Sequence, residues 1–283
     1  ICGSQIGEIN GVKGPDKFLP HMLGHEGSGT VLEIGPGVKS VKVGNAVVLH
    51  WKPSKGIEAE LPKYEWGHET VNAGWVTTFA EKAIISENRL TVIPNDYDLK
   101  LAALYGCAVT TGFGVALNNA EIKIGESAVV IGAGGVGLNI VQAMHLSTAD
   151  PIIAVDIFDN RLDLAKKLGA THIINAAKED VQEAIIDILN DRTLDVFIDN
   201  TGIPKNIKMG YEITGPNGRV ILVGVPKHDQ DITIHSLPLH FGKRLTGSSG
   251  GETLPDVDIP KYIALEKMEM VYGNSEFVDA IAG

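Results

Sequence analysis

Residues 128–146 read AVVIGAGGVGLNIVQAMHL. Four apolar residues, Ala128 to Ile131, run into Gly132-Ala133-Gly134-Gly135-Val136-Gly137, and a helical apolar pattern follows. A strand, a G-x-G-x-x-G loop and a helix in that order form a dinucleotide-binding pattern. The first glycine makes the tight turn, the second lets a pyrophosphate approach the backbone, and the third lets helix and strand pack closely. The helix N-terminus then faces the phosphates. Gly132, Gly134, Gly135, Val136 and Gly137 are therefore candidate cofactor contacts. Asp156 ends the next apolar run, IIAVD, 24 positions beyond Gly132. A carboxylate there accepts hydrogen bonds from the adenosine ribose hydroxyls and repels a 2′-phosphate, which selects NAD over NADP. Arg161 either flanks that ribose or lies on a solvated helix face.

The same alternation extends in both directions. Between Glu126 and Gly250, short apolar runs (AVVI, IIAVD, HII, DVFID, RVILVGV, with RLTGS as a sixth) are separated by amphipathic stretches such as NRLDLAKKLGA and EDVQEAIIDILND. Leu162, Ala165 and Leu168 recur at helical spacing, and Gly169 is a natural stop. Continuous apolar strands alternating with helices predict a doubly wound parallel sheet buried on both faces. Residues 1–115 are different. Glycine-rich turns separate β-type runs (GTVLEIG, AVVLHW, WVTTFAEKAIIS), which predicts a mostly-β domain. Residues 51–75 are polar and irregular and predict a long surface excursion. After Gly250 a loop is expected, then a helix from Lys261 to about Val271.

Composition narrows the function classes. Hydrophobic residues make up 44 % and charged residues 21 %, an ordinary globular mix. The net charge of −11 and the lack of a basic cluster argue against a nucleic-acid partner. No apolar run reaches the roughly 20 residues of a membrane span. Two cysteines among 283 residues point to a reducing compartment, and so to the cytoplasm.

Those cysteines, Cys2 and Cys107, share glycine-rich surroundings with His25: ICGS, LYGCAVTTG and LGHEGSG. Catalytic zinc takes three protein ligands and leaves a fourth position open, and two cysteines with one histidine are such a set. Taken singly, each has a plainer reading, as a small buried hydrophobe or a satisfied histidine. The text around them carries more. Gly24 to Val48, GHEGSGTVLEIGPGVKSVKVGNAVV, closely resembles the G-H-E-x-x-G-x-V signature of the zinc-containing medium-chain alcohol dehydrogenase family. Ile1 to Ser4 resemble its I-C-G-[ST] stretch, and Gly106, Cys107, Thr111 and Gly112 its G-C-x-x-x-T-G stretch. The resemblance covers nearly all the chain.

The resemblance implies a GroES-like catalytic domain over residues 1–115, incomplete relative to the family. A Rossmann NAD-binding domain follows over 116–250, and residues 251–283 begin a return towards the catalytic domain. It implies that the chain starts and stops inside a larger protein, and that the whole protein is a homo-oligomer, dimer or tetramer. It makes Cys2, His25 and Cys107 the zinc ligands. Ser4 becomes the hydrogen-bonding partner of the alcohol, and Glu26 a carboxylate beside the ligand histidine. Thr111, Val223, Gly224 and Val225 become nicotinamide contacts. His50 and Trp51 are candidates for the substrate pocket, although packing explains Trp51 equally well.

The chain departs from the family pattern in places. Gln5 stands where aspartate is common, Asn45 replaces the aspartate of a turn, and no histidine near Gly7 can continue a proton relay. Residues 51–74 hold no cysteine, so the four-cysteine structural zinc site of many members is excluded there, and His68 reads as a surface residue. The implied activity is hydride transfer between an alcohol, or an aldehyde or ketone, and NAD. Oxidation of the glutathione adduct of formaldehyde is one alternative. A non-catalytic nucleotide-binding fragment is another.

Overall fold

The structure, a computed structural model, describes residues 2–271. Its chain contacts divide into two units. One holds residues up to 110 together with those from 253 onward, and the other holds residues 111–252. Among the described residues no single helix is long and apolar enough to cross a membrane.

The first unit opens with a helix that no periodicity announces, α1 (Gly3–Ile9). Strands β1 (Glu26–Thr30) and β2 (Ala46–His50) pair antiparallel, with Glu26 opposite His50 and Gly29 opposite Val47. Strands β3 (Lys63–Trp66) and β4 (Glu69–Asn72) form a separate hairpin. Strand β5 (Leu90–Ile93) completes the three-stranded sheet in the order β1-β2-β5. AVVLHW thus forms the central strand, with Val47 and Val48 buried.

Two β expectations need correction. GTVLEIG contributes only its first two residues to β1, and WVTTFAEKAIIS holds no strand. Its polar groups are used one at a time: the Thr78 hydroxyl donates to the Glu26 carbonyl at 2.6 Å, and Phe79 N–H to the Leu23 carbonyl at 3.2 Å. Conversely, the excursion read as irregular contains β3 and β4. Gly67, at φ +66°, supplies the left-handed turn between them, and Val71 opposite Tyr64 is buried.

The rest of the excursion is pinned by three consecutive polar residues, Glu87-Asn88-Arg89, all buried in one 3₁₀ turn. The Glu87 carboxylate accepts the N–H groups of Lys39 (2.7 Å), Ser40 (2.7 Å) and Ile57 (2.9 Å), and the Ser40 hydroxyl (2.8 Å). Asn88 donates to Glu58 at 2.8 Å, and its carbonyl accepts Ser54 N–H at 2.7 Å.

Helices α2 (Leu99–Ala102) and α3 (Ala108–Gly114) lead into the second unit. There β6 (Ala128–Ile131), α4 (Gly135–Leu146), β7 (Ile152–Asp156), α5 (Asp159–Lys167) and β8 (His172–Asn175) follow one another. Next come α6 (Val181–Leu189), β9 (Leu194–Asp199), α7 (Pro204–Ile213), β10 (Thr214–Leu222) and β11 (Arg244–Gly247). The six strands are parallel in the order β11-β10-β9-β6-β7-β8. The core between sheet and helices includes Val129, Ile153, Ile174 and Phe197, each at most 1 % exposed. The strand order reverses beside β6, and crevices of this kind bind ligands at the strand carboxyl ends. Asp180 caps α6 by accepting Glu183 N–H at 3.0 Å, and left-handed Asn190 ends it.

The chain then re-enters the first unit through α8 (Pro255–Lys267). The loop expected up to Pro260 is already helical. Pro255 occupies the first turn, where its missing N–H has no intrahelical partner to lose, and Pro260 is tolerated inside the helix. The helix ends at Lys267, short of Val271.

Backbone N–H bonds hold the Glu87 carboxyl down at about 2. A depressed carboxyl pKa contributes stability above the unfolded value of about 4.3, and loses it as pH falls through the folded value. Glu87→Gln is therefore expected to lower unfolding free energy by about 2 kcal/mol at neutral pH. In urea titrations, the gap between variant and wild type narrows as pH falls from about 4.3 towards about 2.

Candidate metal centre and dinucleotide loop

One helix cap and two glycine-dependent approaches assemble the candidate metal centre in the first unit. Cys2 caps α1, and its carbonyl accepts Gln5 N–H at 3.0 Å. His25 enters β1 through Gly24 at φ +98°; a β-carbon there would stand 2.5 Å from Thr78 Oγ1. Cys107 follows the turn Ala103–Gly106. A β-carbon on Gly106 would meet the Leu49 carbonyl at 2.3 Å and Glu26 Cβ at 2.9 Å, so only glycine lets the turn press against β1 and β2.

The outcome is that one donor atom each from Cys2, His25 and Cys107 lies within 4.8 Å of the others. It is the only such group of three or more among the described residues. His25 Nε2 is buried with no nitrogen or oxygen partner, and the ring's polar neighbour is the Cys2 sulfur. A buried polar atom without a partner is rare and asks for a ligand. Hydrogen bonding from Cys107 outweighs burial and, with His25 and Ser4, holds the Cys2 thiol at about 3. Burial works against charge on His25, but the Cys2 sulfur and the carboxylates of Glu26 and Glu8 raise its pKa on balance. Burial pushes Glu26 up, with His25 opposing, and its Oε2 accepts Ala108 N–H at 3.4 Å. Two soft sulfurs and an orphaned imidazole nitrogen fit zinc.

Ser4 is half-buried on α1 and Gln5 is buried beside it. A cavity of about 250 Å³ touches His25, Gln5, Trp51 and Trp75. His50 does not line it. Its ring is buried, with Nδ1–H donating to the Lys52 carbonyl at 2.7 Å and Nε2 3.0 Å from Thr91 Oγ1. His21, which the sequence reading missed, does line the cavity, and its ring bonds Asp16 at 2.7 Å and the Met22 carbonyl at 2.8 Å. His68 lies exposed in the β3–β4 turn. Asn45 does the work of an aspartate in its turn, accepting Lys42 N–H at 2.8 Å.

The glycine loop belongs to the second unit. Gly132 sits at φ +96°, and a β-carbon on Gly137 would come within 1.9 Å of the Gly132 carbonyl oxygen. Around Gly134 nothing stands within 4 Å of such a β-carbon, which leaves open space for a phosphate. Gly135 and Val136 open α4, which has no side-chain cap.

Asp156 Oδ2 accepts Ala133 N–H at 2.8 Å, and Oδ1 accepts Ile157 and Phe158 N–H at 2.8 and 3.0 Å. Arg161 Nη1 stands 3.7 Å from Oδ2, its guanidinium 4.8 Å from the Phe158 ring centroid. The carboxylate therefore braces the loop. Val223 and Gly224 N–H donate to the Asp199 carbonyl at 2.8 and 3.0 Å; Val225 is exposed. Thr111 is buried on α3.

Asp199 and Asn200 were missed by the sequence reading. The Asp199 carboxyl is fully buried, bonded by the Thr201 hydroxyl at 2.6 Å and Gly202 N–H at 2.7 Å, and burial raises its pKa. Asn200 Nδ2 donates to the Gly132 carbonyl at 3.2 Å. The signal was present in the D-N-T-G that ends the DVFID run.

Comparison with known proteins agrees with both halves. Residues 1–95 match the alcohol dehydrogenase GroES-like domain, and residues 135–267 match the zinc-binding dehydrogenase family. Alcohol dehydrogenase class-2 isozyme 2 of Oryctolagus cuniculus is 32 % identical over 297 residues, covering 93 % of this chain and 77 % of that protein. S-(hydroxymethyl)glutathione dehydrogenase of Paracoccus denitrificans is 29 % identical over 296 residues, covering 93 % and 79 %. The crystal structure of benzyl alcohol dehydrogenase from Acinetobacter calcoaceticus superposes with a TM-score of 0.84 at 30 % identity, covering 96 % of this chain and 80 % of that one. With this fold, this donor set and these relatives, the chain belongs to the zinc-containing medium-chain alcohol dehydrogenase family and is an alcohol oxidoreductase.

Proposed function

We propose that Cys2, His25 and Cys107 hold one catalytic zinc, and that the protein transfers hydride between an alcohol and NAD. The observation that carries this reading is the unpartnered, buried Nε2 of His25 facing two thiols. When bound, the metal supplies Lewis-acid polarisation of the alcohol oxygen and the nicotinamide accepts the hydride. The chain's own groups do the rest. Cys2 and Cys107 act as thiolates, and His25 offers Nε2. Ser4 accepts the proton of the substrate hydroxyl and passes it on. Glu26, held against Ala108 N–H, balances charge behind His25. Asp156 and Arg161 face the adenosine ribose, while Gly132, Gly134, Gly135, Val136 and Gly137 admit the pyrophosphate. Thr111, Val223, Gly224 and Val225 contact the nicotinamide.

A single zinc is part of this reading, since residues 51–74 hold no cysteine for a second site. Two cysteines outside any disulfide suit a reducing cytoplasm. Assembly into a dimer or tetramer belongs to the same reading. The likeness to the Paracoccus enzyme supports a second substrate, the glutathione adduct of formaldehyde, which belongs in any alcohol panel.

Elemental analysis of the purified chain should find about one zinc per protein, and Cys107→Ser or His25→Ala should bring it near zero. A wild-type value near zero after zinc is supplied would reject the site.

The cofactor half has its own test. Asp156→Asn keeps the shape but removes the charge, so NAD binding should weaken about tenfold while NADP binding tightens. Fluorescence titration with both cofactors measures the ratio. An unchanged ratio would count against Asp156 as the selecting residue.

A further inference from the structure

The chemistry above leaves the excursion over residues 51–75 without a task, yet its two ends stand beside the metal centre. Trp51 and Trp75 both line the cavity of about 250 Å³ that touches His25, with Met22, Leu23 and Val76 adding apolar surface. Both tryptophans meet one residue, Arg89. Its Nη1 donates to the Trp51 carbonyl, and its guanidinium carbon sits 4.7 Å from the Trp75 ring centroid. Its Nη2 lies 3.3 Å from Glu58 Oε1, a carboxylate of the excursion itself.

Arg89 is 6 % exposed, and its Nε has no partner. Burying a guanidinium is costly unless paired, and here the pairing goes to the cavity walls. A planar fork can stack on one indole while bonding the other residue's carbonyl; a lysine can do only one of these. Trp75 keeps 46 % of its surface exposed, so ring area remains for a ligand. Indole faces favour planar aromatic partners through offset or edge-to-face contacts. A two-carbon alcohol gains little from them.

We propose that Arg89 is a positioning residue that fixes the Trp51 and Trp75 walls, and that these walls select planar, aromatic primary alcohols. The substrate class rests on the zinc and NAD reading above; the clamp does not.

The test uses the full zinc-loaded chain with benzyl alcohol as probe. The chain has three tryptophans, and Trp66 lies 79 % exposed on the β3–β4 hairpin. In a Trp66→Phe background, emission therefore reports Trp51 and Trp75. Titration with benzyl alcohol, without NAD, should give a Kd that rises about tenfold in Arg89→Met, with Arg89→Lys failing to restore it. Trp75→Leu should shift Kd the same way, and it decides the matter should Arg89→Met not fold. In turnover with NAD, KM for benzyl alcohol should rise about tenfold while kcat and the KM for ethanol stay within about twofold.

An unchanged Kd in both Arg89→Met and Trp75→Leu overturns the proposal. So does an equal loss for ethanol and benzyl alcohol, which would mean a purely structural role. If the chain oxidises no alcohol but the Kd shifts as stated, the clamp stands and the dehydrogenase reading falls. If it oxidises alcohols with unaltered selectivity in the variants, the clamp falls and the dehydrogenase reading stands.

Discussion

The metal centre depends on a steric constraint at Gly106. Leu49 O and the Cβ of Glu26 occupy the space that any side chain at this position would need. Because nothing projects there, the turn before Cys107 lies directly on β1 and β2, and the thiol reaches the level of His25. A separate close approach lies in β1 itself, where a β-carbon on Gly27 would stand 2.8 Å from Thr78 Cγ2. The three donors come from a helix cap, a strand entrance and a turn exit, so no local motif aligns them. Backbone-to-backbone contact does.

This explains how much of the molecule was legible in its sequence. The parallel sheet was plain, because strands buried on both faces must be apolar throughout, and AVVI and IIAVD are. The β unit was legible in type but not in detail. Its strands are short and partly exposed, so GTVLEIG and WVTTFAEKAIIS carry β-type residues without ladder partners for most of them. The hairpin at 63–72 hid behind polar residues, with Gly67 as its one clear mark. Helix α1 was invisible, since GSQIGEI holds two glycines in seven residues. Helix α8 begins six residues before the expected Lys261, because Pro255 starts it. For the candidate site, the residues that carry chemistry showed themselves as Cys, His, Asp and glycine patterns. The buried polar residues that brace nearby loops, Glu87 and Arg89, did not. A buried polar residue looks like any surface one until its partners are known.

These supporting residues share one strategy. Glu87 and Asp199 are buried carboxylates whose oxygens are taken by backbone N–H and hydroxyl groups. Each fixes loops that have no ladder of their own. Glu87 gathers residues 39–40 and 57, and Asp199 gathers 201–202. Such bonds are directional, so they define loop geometry more sharply than apolar packing would. Their pKa values nonetheless move in opposite senses. Glu87 receives three N–H donors and is lowered, whereas for Asp199 burial outweighs its donors and it is raised.

Of the buried side-chain atoms without a partner among the described residues, His25 Nε2 is the one that belongs to a cluster with two sulfurs. Two sulfurs crowd the same space, and charge on any one member alters the others. Burial opposes charge on the imidazole while the Cys2 sulfur and the Glu26 and Glu8 carboxylates favour it, and the Cys2 thiolate brings a second charge into the same low-dielectric setting. In the proposed reading, a divalent cation held there would take the nitrogen lone pair and the sulfur charges together. Sites where local rules fail in an otherwise consistent fold mark function. Here His25 Nε2 lies with two sulfurs within reach of one tetrahedral metal, and Gly24 and Gly106 let the backbone bring His25 and Cys107 there.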